Sequence, residues 1–182
     1  MIAPKTVRAA VAAAAVALCA ACSSPEEANV NETLTEAAAS DHLVGYFTET
    51  LSALPEGAVL SRTHPQSPTG APLPGGVTPC DDNDTTATGP VFLTLGYWVD
   101  AAGAPTATSF DTIATYWDGR GWPLTDRSAG GSRTTVATLP DGYRINVHDN
   151  GRGGLSVSGV SPCFPRENAS RGDSQPAVIE RP

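Results

Sequence analysis

One lysine, Lys5, is all that this chain of net charge −8 contains, and every other cation apart from histidine is an arginine. No basic run or interleaved basic-aromatic stripe occurs, which leaves nucleic acid without an electrostatic footprint and anionic lipid without a polybasic patch. No apolar run reaches the length of a membrane-spanning helix: the longest, Ala9 to Leu18, would rise about 15 Å as a helix, half of a bilayer core. Cysteines are few: outside the N-terminal Cys19 and Cys22 only Cys80 and Cys163 occur, too far apart in sequence for a C-x-x-C redox pair or a zinc cluster of neighbours. No P-loop, dinucleotide fingerprint or H-E-x-x-H occurs. The nearest approach to a nucleophile elbow, Gly154-Leu155-Ser156-Val157-Ser158-Gly159, fails the required spacing, and His42, His64 and His148 stand isolated. The sequence therefore nominates no catalytic residue, no metal ligand and no cofactor.

What is present begins with the layout of an export signal: Lys5 and Arg8, an apolar run, then small residues ending in Leu18-Cys19-Ala20-Ala21-Cys22. Cleavage before a cysteine, with alanine at both preceding positions, resembles the lipobox of bacterial lipoproteins. Cys19 stands where that pattern usually has leucine. The resemblance implies a signal peptide over residues 1–21, with Cys22 acylated as the new N-terminus on the extracytoplasmic face of the cell membrane. Removing residues 1–21 from 182 leaves 161, enough for one domain with loose ends, and losing Lys5 and Arg8 takes the charge from −8 to −10. Cys80 and Cys163 are then the remaining cysteines, and an oxidising compartment favours their pairing over two free thiols.

Residues 22–39 read as a flexible tether with a reach of roughly 20–25 Å. Leu43, Phe47, Leu51 and Leu54 follow one helical face. Ser40 offers an N-cap, an earlier start near Thr33 is the alternative, and Pro55 with Gly57 marks the end. Proline and glycine crowd residues 62–78, predicting an extended loop. Asp81-Asp82-Asn83-Asp84 lacks the glycine and later ligands of a calcium loop and reads as a solvated turn. Val91 to Val99 alternates as a strand, with aromatic residues on both faces. Ser109 is placed to cap a short helix carrying Phe110, Ile113 and Trp117. Three short β-branched segments around Pro140-Asp141-Gly142 and Asn150-Gly151 then predict a meander of hairpins. Residues 166–182 show no apolar period and are expected to be disordered; the Arg171-Gly172-Asp173 within them reads as chance.

The expected fold is a single α+β domain over residues 40–165. It has a mainly antiparallel sheet, an N-terminal helix and a helix after the first strand packed on it, and one disulfide. The order of Pro79-Cys80-Asp81-Asp82, Tyr97-Trp98-Val99, Tyr116-Trp117, Gly121-Trp122, Pro140-Asp141-Gly142-Tyr143-Arg144-Ile145 and Ser161-Pro162-Cys163 resembles uncharacterised actinobacterial secreted lipoproteins of the mycobacterial type. That resemblance implies location and fold, and it brings no activity. The functional expectation is a lipid-anchored, non-catalytic envelope protein that binds a protein partner or serves as an accessory subunit. A carrier or sensor of a small apolar ligand is the alternative, with Trp98, Trp117 and Trp122 as candidate contact residues, and a hydrolase built from distant residues comes third.

Overall fold

The computed structural model describes residues 30–66, 73, 75–80, 88–170 and 175–181. The fold is α+β: two helices lie on an antiparallel sheet of eight strands, with one disulfide, Cys80–Cys163. The strands are β1 (Val59–Ser61), β2 (Gly76–Pro79), β3 (Val91–Asp100), β4 (Leu124–Asp126), β5 (Arg133–Thr138), β6 (Arg144–Asp149), β7 (Leu155–Val160) and β8 (Val178–Glu180). Their spatial order is β4-β5-β6-β7-β3-β1-β8, and β2 pairs with the first half of β3 beside β1. No helix among the described residues is long and apolar enough to cross a membrane.

β3 is the spine. One side of its ladder meets β7 and the other meets β1 and β2. Its odd-numbered residues from Val91 to Val99 are buried under the helices, as the alternation predicts. The meander β4 to β7 also follows its predicted period: Ala137, Ile145 and Val157 point into the core, and their neighbours point away.

Helix α1 (Glu36–Leu51) is capped by Thr35, whose Oγ1 accepts a hydrogen bond from the Ala38 N–H at 3.2 Å. Ser40 is inside the helix and caps nothing, because the alanines before it continue the helix back to Thr35. The tether expected over 22–39 does not hold for residues 30–39, and residues 22–29 lie outside the described residues. Val30 bridges to Cys163, Leu34 is buried, and the domain has begun by Val30. Helix α2 (Thr106–Gly119) likewise starts before Ser109, after Pro105, whose φ of −60° and missing N–H suit a helix entrance.

Two further expectations fail at the sheet edges. The end of the proline- and glycine-rich stretch forms β2, where Pro79 is tolerated because no strand among the described residues pairs with the far side. The chain end is also not disordered throughout. A 3-10 turn covers Arg166–Asn168, and β8 adds to β1 with Ile179 buried at 5% exposure. Two apolar residues are too few to show a period, yet an open edge of N–H and C=O groups can order them. The acidic run 81–84 and the Arg171-Gly172-Asp173 tripeptide lie outside the described residues.

Gly159 lets α1 approach the sheet. A Cβ there would meet Leu43 Cδ2 at 2.7 Å, Ile145 Cγ2 at 3.1 Å and Phe47 Cζ at 3.2 Å. All three belong to fully buried or nearly fully buried side chains. Gly159→Val is expected to lower stability by about 1–3 kcal/mol through overpacking, measured by urea unfolding. An unchanged midpoint would show that α1 can lift without cost.

Candidate functional site

The three tryptophans do not form one platform. Trp117 is fully buried between the helices and sheet, and its Nε1–H donates to Thr50 Oγ1 at 3.0 Å. Trp122 is also buried, its ring edge-on to Tyr46 at 5.9 Å with the Arg120 guanidinium 5.7 Å from its centroid. These two residues follow helical and extended core spacing, and core is where they go. Trp98 has the opposite strand parity. It is half-buried on the far side of the sheet, with the His64 ring at 4.5 Å, and its Nε1 is buried without a hydrogen-bond partner.

Cys80 and Cys163 are bonded, with Cα atoms 6.3 Å apart. Reciprocal bonds between Val91 and Phe164, at 2.9 and 2.7 Å, hold the same junction by backbone alone. Cys22 lies outside the described residues.

A histidine, a carboxylate and tyrosines do meet on the helix side. Tyr46 donates its hydroxyl proton to Asp141 Oδ2 at 2.5 Å, and His42 Nδ1 is 3.7 Å from the same oxygen. His42 also stacks on Tyr143 at 5.5 Å. Burial, then the bond to Asp141 and its negative charge, hold the Tyr46 phenol far above its ordinary value, so it stays protonated. Burial first and Asp141 second push Tyr143 up to about 12. A phenol held protonated at neutral pH and a histidine beyond hydrogen-bond reach make no base–nucleophile pair. The cluster instead clamps the β5–β6 turn onto α1.

A pH dependence follows from these phenols. Unfolding returns Tyr46 and Tyr143 toward 10, so the folded state binds their protons more tightly. Their contribution is fully present below pH 10 and is lost as pH rises through the folded-state values. Alkaline titration followed by tyrosinate absorbance and by unfolding should show falling stability above that point. Tyr46→Phe should flatten the decline.

The other side of the sheet is different. Both helices pack on one face, and among the described residues no helix covers the opposite face. Strand register assigns its rows. Thr134, His148, Ser156 and Trp98 lie side by side across β5, β6, β7 and β3. Thr125, Val136, Asn146, Ser158 and Gly96 make the next row, and Thr138, Arg144, Val160 and Thr94 the one after. Arg127 extends the first row, its N–H bonding Thr134 O at 2.8 Å. Within the face, Thr134 Oγ1 is 2.8 Å from His148 Nδ1, and Ser158 donates to Asn146 Oδ1 at 3.1 Å.

Two open grooves flank Arg144. One of about 440 Å³ is lined by Thr125, Arg127, Val136, Thr138, Asn146 and Arg144. The other, about 550 Å³, runs past Phe92, Pro162 and the disulfide to Asp141. Across these three rows, from β4 to β3, no position holds a carboxylate. Among the described residues no carboxylate is paired with Arg127 or Arg144, whereas Arg120 pairs with Glu49 at 2.6 Å and Arg133 with Asp111. The alternation of Arg144, Asn146 and His148 marked a polar strand face. That Arg127 joins them is a consequence of register and was not legible from spacing.

Compared with known protein families, curated proteins and solved structures, the chain matches none.

Proposed function

We propose that this protein is a non-catalytic binding module of the cell envelope, held through acylated Cys22, with the uncovered sheet face as its ligand surface. One observation carries the reading: a sheet with both helices on a single side leaves a face whose arginines, Arg127 and Arg144, pair with no carboxylate among the described residues. An eight-stranded antiparallel sheet needs only one covered face to be stable, and among the described residues no helix occupies the second. The carrier reading is weaker, since Trp117 and the residues around it fill the core that an apolar ligand would need. The hydrolase reading is weaker as well. Ser156 and His148 are cross-strand neighbours, but His148 Nδ1 is taken by Thr134 and no described carboxylate orients the ring.

Photo-crosslinkable residues at Ser158 and at Asp118, on opposite sides of the domain, test this in native envelopes. A discrete adduct from position 158 and none from 118 is expected. Adducts from 118 alone would reverse the assignment of faces. The anchor is tested separately: Cys22→Ala should release the protein from the membrane fraction, and unchanged retention with an unmodified N-terminus elsewhere would refute acylation.

A further inference from the structure

We infer that the uncovered face binds an anionic glycan, a sugar chain bearing carboxylate or phosphate groups, with Arg127 and Arg144 as its charge contacts. The inference rests on the reading of that face as the ligand surface and adds the class of ligand.

The argument for negative charge is local complementarity. In a chain of net charge −8, two arginines border one groove with no described acid paired to either. Asp141, on the turn just before Arg144, lines the neighbouring groove with it but accepts from Tyr46 rather than pairing with the guanidinium. Guanidinium forks match carboxylate and phosphate oxygens two at a time, which an ammonium cannot do. Register places the Arg127 and Arg144 backbones two strands and about four residues apart, on the order of 17 Å, with the row of Thr125, Val136, Asn146 and Ser158 between them. That separation suits a chain with more than one charge better than a single small anion.

The argument for sugar is the floor between the arginines. Val136 is midway between them, and around it Thr125, Thr138, Asn146 and Ser158 offer hydroxyls and an amide, groups that both donate and accept, as sugar hydroxyls require. A protein partner would ask for a dry apolar or aromatic centre. Of the exposed large apolar residues among those described, Leu124 has the parity of the covered face, while Val178 shares the uncovered face with the half-buried Trp98 but sits on edge strand β8, four strands from Arg144 and away from the groove. A bilayer fits less well still. Two cations on an acidic domain fall short of the basic cluster that holds a protein to anionic lipid.

The test is calorimetric titration of the mature chain with three probes: oligogalacturonate, a glycerol phosphate oligomer and a neutral maltooligosaccharide. At least one anionic probe is expected to bind, at least tenfold more tightly than the neutral one, with affinity falling as salt rises. The two anionic arms distinguish carboxylate from phosphate. Arg127→Gln and Arg144→Gln should each weaken binding about tenfold, and the double variant should abolish it. Both side chains are exposed, so thermal unfolding should be unchanged in these variants. Arg120→Gln with Arg181→Gln makes the same change in net charge away from the face and should leave affinity within about twofold. Equal binding of the neutral probe, undiminished binding by the double variant, or no binding of either anionic probe would overturn the inference. Adducts at position 158 together with such a null result would leave the face as the ligand surface and remove the glycan.

Discussion

Replacing both Cys80 and Cys163 by alanine should lower stability by about 2–5 kcal/mol while leaving the folded spectrum intact. The bond closes a sequence separation of 83 residues, and the chain-entropy account of a loop that long gives roughly 4–5 kcal/mol. Small domains hold together with about 5–15 kcal/mol in all, so the change is a large fraction of the total. The native junction has its own ties. Val91 and Phe164 exchange backbone bonds, Asn31 N–H reaches Cys163 O at 2.8 Å, and Cys80 N–H reaches Pro90 O at 3.0 Å. Those bonds survive reduction, so the loss falls mainly on the freedom of the unfolded chain. Thermal unfolding with and without reductant should differ by roughly 10 °C. An unchanged midpoint, or two alkylatable thiols in freshly isolated, unreduced protein, would contradict this.

Trp117→Ala should cost about 3–5 kcal/mol, in the range for emptying a large buried aromatic site. Trp117 is fully buried, and its indole N–H ties α2 to Thr50 of α1. Thr50 in turn donates to Tyr46 O at 2.8 Å, so its hydroxyl is used on both sides. Trp117→Phe separates the two contributions. It keeps most of the ring volume and removes the N–H, and should cost about 1–2 kcal/mol. Urea unfolding of the two variants would measure the difference. A loss below about 1 kcal/mol for Trp117→Ala would mean that α2 does not depend on this contact, and would reopen the site as a ligand pocket.

Trp98, Trp117 and Trp122 look alike in the sequence, and only their neighbours separate them. Trp117 follows Phe110 and Ile113 at helical spacing, so its burial was legible. Trp98 alternates with Tyr97 on a strand that carries aromatic residues on both faces, and alternation alone does not say which face the helices cover. The helices chose the face of Tyr97, where Phe47 meets its ring at 5.6 Å.

The sequence by itself determined the elements with long, regular patterns and the pair of cysteines. The leucine stripe of α1, the alternation of β3 and the glycine-marked turns of the β5–β7 meander each carry enough apolar residues to impose a period. β2 and β8 were decided by tertiary structure, because edge strands of three or four residues take their order from a neighbour's unpaired backbone groups. The candidate site belongs to the same class. Arg127 and Arg144 are 17 residues apart in a chain where arginines are scattered, and nothing in their spacing joins them. Antiparallel register brings them to one groove, and the packing of both helices on the other face leaves that groove open to solvent.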